Sequence, residues 1–408
     1  MTHFRIIGIV ARTLWRVARS RLGRALGALR GEPRRLRVGV DVRPFYEPLT
    51  GVGWYLYSLV VELSRRGDVD LVLFGDARVT DQGPRLHVAL PAVLEPAWFD
   101  FRGLLPSSFG RRLSAAAYLL WIRLEGCDLL FGANYFLPRL LSATARRRVI
   151  TVHDLTYRRF PDLLQKETLA NLEREMTREI AHADAVICVS ESTRQDLLEH
   201  YHLDPSRVVA IHSGVPQSAG KGSDVAVPAR YILFVSTIEP RKNLITLLDA
   251  FEGLRSSGRY DGALIVVGRI GWKVEETVHR MKTSRWKDAI HHLDYIDRDQ
   301  LAEIYRRAEI FVFPSLYEGF GFPLLEAMAC GVPAIAAASS SLPEVGGDAA
   351  LYFEPTNADE LAHLIEKVTN DRELRAKLIA AGRERVKRFN WSKAAEETLA
   401  VFRRVADR

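Results

Sequence analysis

Two glutamates at a fixed spacing give the strongest chemical signal in the sequence. Glu318-Gly-Phe-Gly-Phe-Pro-Leu-Leu-Glu326 follows an apolar run, Ile310–Phe313, that reads as a buried strand. Pro323 suits the first turn of a helix that Gly331 and Pro333 end, which predicts a helix over 323–330. Gly319 and Gly321, interleaved with Phe320 and Phe322, let backbone amides approach a ligand at that helix's N-terminus. Partial positive charge there favours a diphosphate. Glu318 precedes the helix and Glu326 falls on its first turn, so both face one cleft at different depths, about one sugar ring or nucleoside apart.

Three further groups could share such a cleft. Arg241 and Lys242 follow the strand-like Tyr231–Val235 and precede a helix that Asn243 could cap. Two fixed cations at a sheet's carboxyl edge suit a diphosphate whose charge grows as a leaving group departs. His153 ends the strand-like Arg148–Val152 and precedes Asp154. It could serve a nucleophile, but no Gly-x-Ser-x-Gly elbow accompanies it, and a structural, backbone-bonded histidine is the alternative. Gly51 and Gly53 form a turn pair, weak as a signal alone. A dinucleotide fingerprint would need glycine at Leu56, so a dehydrogenase reading fails. His200-x-His202 and His291-His292 have no carboxylate or cysteine partners at ligand spacing, so no metal and no cofactor are expected.

The elements that would position these groups alternate regularly. Strand signals at Leu36–Asp41, Asp70–Phe74, Asp128–Phe131, Arg148–Val152, Ala185–Val189 and Arg207–Ile211 are interleaved with helical patterns at 54–65, 163–181 and 191–201. A loop, 42–53, leads into the first helix. Residues 216–229, rich in Pro, Gly, Ser and Ala, read as a linker. The alternation restarts with strands Tyr231–Val235, Ala263–Val267, Ile290–Leu293, Ile310–Phe313 and Ala334–Ala337, and helices over 243–256, 273–281, 298–307 and 323–330. This predicts an α/β chain of two doubly wound, Rossmann-like domains facing a cleft, 36–215 and 230–388. A basic segment, 1–35, precedes them and a closing helix, 389–408, follows. That architecture alone serves transferases, epimerases and sugar-binding proteins alike.

Composition agrees with two domains. The chain has 408 residues, 48% hydrophobic and 26% charged, with no uncharged apolar run long enough to span a membrane. Cys127, Cys188 and Cys330 are isolated in apolar stretches and read as buried free thiols in a reducing compartment, hence a cytoplasmic location. The formal net charge of +7 is uneven: the first 37 residues hold ten arginines against Glu32 alone. The remainder is slightly acidic, which argues against nucleic acid as a partner. On a helical wheel Phe4, Ile7, Leu14, Trp15, Leu22 and Leu29 share one face, with Arg5, Arg12, Arg16 and Arg19 beside it. Residues 1–30 therefore read as a helix on an anionic membrane surface, or as one packed on the body.

The segment from Glu318 to Glu326 resembles the E-x7-E signature of glycosyltransferase family 4 (group 1), in its E-G-F-G-x-P-x-x-E form. Other resemblances follow in that family's order from residue 36 onward. They are Thr50-Gly51-Val52-Gly53, Val152-His153-Asp154, Val189-Ser190-Glu191-Ser192, His212-Ser213-Gly214-Val215, Glu239-Pro240-Arg241-Lys242-Asn243, Phe313-Pro314-Ser315 and Leu342-Pro343-Glu344-Val345. Many members carry an arginine soon after the strand that opens the second domain; here the loop reads Val235-Ser236-Thr237. The resemblance implies a GT-B fold and retaining transfer of a hexose from a nucleotide-diphosphate donor. It places His153 beside the sugar, Glu318 on sugar hydroxyls, Glu326 on the ribose, and Lys242 and Arg241 on the diphosphate. Gly51, Gly53 and Gly319–Phe322 would line the donor site, and the closing helix would return to the first domain. The Glu239–Asn243 and Ser339–Glu344 segments look like the mannosyltransferase branch, which favours GDP-mannose over UDP-hexoses. The basic N-terminal segment suggests a glycan or lipid-linked acceptor in polysaccharide or glycolipid assembly. A sugar-nucleotide epimerase and a non-catalytic sugar-binding protein are the rival readings.

Overall fold

Parallel strands buried on both faces need apolar side chains at nearly every position, and the described strands supply them except at the edge Ile290–Leu293, which carries two histidines. The computed structural model describes residues 33–45, 49–74, 123–135, 137, 147–215, 225–294 and 296–408, with single positions between 15 and 31. The first sheet comprises β1 (Leu36–Asp41), β2 (Val69–Phe74), β3 (Leu129–Gly132), β4 (Arg148–Val152), β5 (Ala185–Cys188) and β6 (Val208–Ala210). Its order is β2-β1-β3-β4-β5-β6, all parallel. The second comprises β7 (Tyr231–Val235), β8 (Ala263–Val267), β9 (Ile290–Leu293), β10 (Ile310–Phe313), β11 (Ala334–Ala337) and β12 (Ala350–Phe353). Its order is β12-β11-β10-β7-β8-β9, again all parallel.

Strand order reverses between β1 and β3 in one sheet and between β7 and β10 in the other. A crevice opens at such a switch point, outside the carboxyl ends of the strands. The loops that leave those ends carry the chemistry singled out above. After β1 the chain enters α1 (Gly51–Ser64); after β4 it passes His153 into the short α2 (Thr156–Arg159) and then α3 (Lys166–His182); α4 (Glu191–Tyr201) follows β5. In the second domain α5 (Leu244–Ser256) follows β7, α6 (Glu275–Thr283) follows β8, α7 (Arg298–Arg307) follows β9 and α8 (Phe322–Ala329) follows β10.

Several element ends shift by one to three residues from the sequence reading, and two of the shifts bear on the site. Helix α1 begins at Gly51, not Trp54, because the extended Thr50 already supplies the carbonyl for the Trp54 amide. Both glycines therefore sit in the first turn rather than in a loop. Helix α8 begins at Phe322, which moves Glu326 to the start of the second turn. Beyond Ala337 the alternation continues, through α9 (Leu342–Gly346), β12, α10 (Ala358–Asn370) and α11 (Arg372–Val386). The closing α12 (Trp391–Ala406) lies on the first sheet: Phe402 meets Phe131 at 5.1 Å between ring centroids, and Arg403 pairs with Asp68. At the crossing Gly214 packs so tightly on the Trp391 ring and backbone that no β-carbon fits.

The basic N-terminal helix and most of the linker lie outside the described residues. Of the apolar positions described there, Trp15, Leu22, Leu26 and Leu29 are exposed. Among the described residues no helix is long and apolar enough to cross a membrane. All three cysteines are free, but only Cys188 is fully buried; Cys127 and Cys330 are partly exposed.

Candidate active site

A cavity of about 610 Å³ lies between the two sheets. Gly51, His153, Arg241, Lys242, Glu318, Gly319, Phe320, Gly321, Phe322 and Glu326 all line it. Gly53 does not. A β-carbon there would meet the Leu49 side chain at 2.7 Å and the Pro44 carbonyl at 3.3 Å, so its glycine serves packing beneath the loop.

The cations are set by the turn after β7. Pro240 starts a single 3₁₀ turn, Pro240–Lys242, and Asn243 ends it in the left-handed region at φ 55°. Asn243 does not cap α5 as its position suggested. Its carboxamide donates to the carbonyls of Pro314 (3.0 Å) and Pro355 (2.7 Å), tying the turn to the loop after β10. Lys242 Nζ then lies 2.6 Å from Glu318 Oε1, and Arg241 Nη1 lies 3.0 Å from Glu318 Oε2. Arg241 Nη2 also holds Glu239 Oε1 at 2.7 Å. Burial alone would raise the Glu318 carboxyl, but the Lys242 ammonium and Arg241 guanidinium outweigh it and hold it at about 2. Burial, together with the neighbouring Arg241 charge, pulls the Lys242 ammonium below its ordinary value against the pull of Glu318. Glu318 is thus a permanent anion with lone pairs to spare for hydroxyl donors.

Below this triad Ser340 Oγ accepts from the Glu318 amide at 2.7 Å, and Ser341 Oγ donates to the carbonyls of Glu318 (2.9 Å) and Phe320 (3.1 Å). The Ser339–Ser341 segment is therefore the floor of the glutamate motif.

His153 projects from the end of β4 between two tyrosines, Tyr55 and Tyr135, at 5.0 Å and 5.7 Å between ring centroids, both edge-on. Its Nε2 lies 2.7 Å from the Ala133 carbonyl. A carbonyl only accepts, so Nε2 carries the hydrogen and Nδ1 is an acceptor. Burial lowers the imidazole's pKa below its ordinary value despite that bond and Asp154. The histidine is backbone-bonded and lines the cavity at once: a neutral acceptor, unsuited to delivering a proton.

Two helix N-termini converge here from opposite domains. Thr50 makes no side-chain cap on α1, and Gly321 at φ 100° has no side chain with which to cap α8. A β-carbon on Gly51 would stand 3.7 Å from the Phe322 ring. Two positive helix ends in contact repel unless an anion lies between them. With Lys242 and Arg241 alongside, the arrangement accommodates a diphosphate.

Glu326 lies deeper. Tyr305 Oη donates to it at 3.2 Å. Burial raises its carboxyl, and Arg298 and Tyr305 offset only part of that. Arg298 also stacks 3.9 Å over the ring of Trp54, closing the cleft from the opposite domain. Sequence reading missed Glu239, Tyr305, Arg298 and Trp54. Glu239 was adjacent to the basic pair, and Trp54 opens the α1 pattern; Arg298 and Tyr305 carried no local signal. Among the described residues no group of three His, Cys, Asp or Glu side chains could hold a metal ion.

Two family models cover the chain in sequence: Glycosyltransferase Family 4 over residues 49–218 and Glycosyl transferases group 1 over residues 221–385. The chain is also 30% identical over 389 residues to the O-antigen chain mannosyltransferase B of Escherichia coli, spanning 90% of this chain and all of that one. It belongs to the family 4, group 1 glycosyltransferases. Solved structures agree on the fold. Sucrose-phosphate synthase from Thermosynechococcus elongatus superposes with a TM-score of 0.69 at 20% identity, covering 91% of this chain and 99% of that one. Anabaena HepE in complex with UDP-glucose gives 0.63 at 16% identity, covering 90% and 100%. The transferase thus has the two-domain GT-B architecture, with its motif residues gathered between the domains.

Proposed function

We propose that the protein is a retaining mannosyltransferase that moves mannose from GDP-mannose to a glycan or lipid-linked acceptor, without a metal. The observation that carries this reading is the meeting of the α1 and α8 N-termini beside Lys242 and Arg241, a diphosphate site made of backbone dipoles and two cations. The mannosyl donor is supported by the O-antigen mannosyltransferase relative. In this mechanism the acceptor hydroxyl attacks C1 on the face from which the diphosphate departs. The C1–O bond to phosphate breaks, the new C1–O bond forms, and the hydroxyl proton passes to a leaving phosphate oxygen. Lys242, Arg241 and the two helix ends neutralise the departing charge. Glu318 and the His153 Nδ1 accept from sugar hydroxyls, and Glu326 accepts from the ribose. Residues 1–30 would hold the enzyme on an anionic membrane face, cytoplasmic and peripheral, close to a lipid-linked acceptor.

A UDP-hexose donor is the second reading, favoured by the structural likeness to HepE, whose complex holds UDP-glucose. Thermal unfolding with GDP, UDP, ADP and dTDP, with and without EDTA, separates the two. A ligand at a hundredfold excess over its Kd stabilises by about 2.7 kcal/mol. A shift with GDP alone, unaltered by EDTA, is expected. A shift with UDP alone replaces the donor, and no shift with any nucleotide rejects the reading of the cleft.

A further inference from the structure

Tyr317 stands one residue before Glu318, yet its hydroxyl engages the opposite domain. It donates to Asp196 Oδ2 at 2.6 Å and accepts from the Leu155 amide at 3.2 Å. Asp196 lies on α4, and its other oxygen, Oδ1, accepts from Arg159 Nε at 2.9 Å. Tyr317 is 4% exposed and Asp196 7%, so the bonds form away from water. Burial, then the hydrogen bond and charge of Asp196, push the phenol well above its ordinary range, and it stays a donor at any working pH. Two neighbouring contacts run the same way. Thr193 Oγ1 donates to the Gly319 carbonyl at 3.2 Å, and Gly319 abuts the carbonyl of His153.

These contacts bracket the hexose site. On one wall Leu155 follows His153 by two residues; on the other Tyr317 adjoins Glu318. Both partners of the Tyr317 hydroxyl belong to the other domain, so the bond does not hold its own domain together. It acts only when the domains are closed. Arg159 fixes Asp196, which leaves one carboxylate oxygen aimed at the phenol. The Tyr317 carbonyl in turn accepts from Arg241 Nη1 at 2.5 Å, which connects the contact to the cation turn.

We propose that Tyr317 and Asp196 form an interdomain latch that sets the distance between His153 and Glu318, making Tyr317 a positioning residue for transfer. The proposal rests on the reading of the cleft as a nucleotide-sugar site. Nucleotide keeps α8, Lys242, Arg241 and Glu326 of the second domain when the latch is broken and loses only the α1 end, so its binding depends on the latch far less than transfer does. The two walls of the hexose site need it.

The test uses the full chain with Tyr317→Phe, Asp196→Ala, Asp196→Asn and the Tyr317→Phe/Asp196→Ala pair. Three quantities are read: GDP release from saturating GDP-mannose with water as acceptor, GDP affinity by calorimetry, and the radius of gyration of the free protein. Tyr317→Phe and Asp196→Ala should each slow release by about tenfold to a hundredfold with GDP affinity within about twofold of wild type. Asp196→Asn, whose single amide oxygen must serve either the phenol or Arg159, should fall between Asp196→Ala and wild type. The pair should be no slower than the worse single variant, since both break one bond. Rates within about threefold of wild type, losses that multiply in the pair, or a parallel loss of GDP affinity would each overturn the latch. Should the wild-type chain bind no GDP, the donor reading fails, and the latch is decided by scattering. A larger radius for Tyr317→Phe than for wild type supports it; an unchanged radius overturns it.

Discussion

The α-carbon of Gly319 lies against the carbonyl oxygen of His153, across the cleft and with no room for a β-carbon between them. The sequence suggested that this glycine lets a ligand approach the backbone. In the folded protein it is the opposite domain that approaches. A methyl group at this position must hold the walls apart, because the obstruction is backbone and cannot rotate away. Gly319→Ala should therefore abolish detectable sugar transfer while leaving nucleoside diphosphate affinity within a few-fold of wild type. Its cost to stability should be modest, about 1–3 kcal/mol, as for other overpacked sites. Transfer at more than a tenth of the wild-type rate would mean that the domains close without this contact.

The triad of Glu318, Lys242 and Arg241 makes an asymmetric prediction. Removing Glu318 leaves two buried cations facing each other, and breaking a buried pair in this way costs about 3–5 kcal/mol. Removing Lys242 leaves Glu318 still paired with Arg241 at 3.0 Å, so the fold should tolerate it better. Lys242→Ala should nevertheless lower kcat by about 10²–10³, the scale for losing one charge-stabilising group. Denaturant unfolding of the two alanine variants beside their kcat values checks both halves. Equal destabilisation by the two changes would show that the carboxylate is not the keystone of the cluster.

Much of this site was legible because its residues are neighbours in sequence and sit at strand ends. Arg241 and Lys242 after β7, His153 after β4 and Glu318 after β10 each follow an apolar run whose end marks the sheet's carboxyl edge. What could not be read were the partners from other elements. Tyr317 meets Asp196 across 121 residues, and Arg298 meets Trp54 across an even longer separation, with nothing local to mark either. Gly53 was misread because a glycine that serves packing looks the same in sequence as one that serves a ligand. The starts of α1 and α8 were placed one to three residues off because the first turn of a helix makes few bonds of its own.

His153 predicts how stability depends on pH. Its folded pKa is lowered by burial, while the unfolded chain takes up a proton near 6.5. Below that value the unfolded state binds a proton that the folded state refuses, so stability should fall as pH drops from about 6.5 toward the lower folded value. Above about 6.5 the group contributes no pH dependence. His153→Gln, uncharged in both states, should flatten that part of the profile. If that variant keeps the wild-type slope of unfolding free energy between about pH 5 and about 6.5, the imidazole titrates freely in the folded protein.

Glu326 sets a separate limit, on binding. Burial raises its carboxyl, and Arg298 is the larger of the two groups that hold it back down. The same guanidinium lies over Trp54, so the residue that closes the cleft also tunes the acid beside it. If Glu326 accepts from ribose hydroxyls as a carboxylate, donor affinity must weaken as pH falls through its folded pKa. Arg298→Gln removes the charge that opposes protonation, so this acid limb should move to higher pH. Tyr305→Phe should move it the same way by less, since it removes a hydrogen bond rather than a charge. Titration of the donor's own phosphates is common to all variants and cancels when each Kd is divided by the wild-type value at the same pH. Glu326→Gln should lack the limb, with a raised donor KM at every pH and kcat little changed. An Arg298→Gln limb that coincides with the wild-type one would separate the guanidinium from the carboxylate. Arg298 would then serve the cleft through its cation–π contact with Trp54, worth about 0.5–2 kcal/mol, rather than through the charge it presents to the acid.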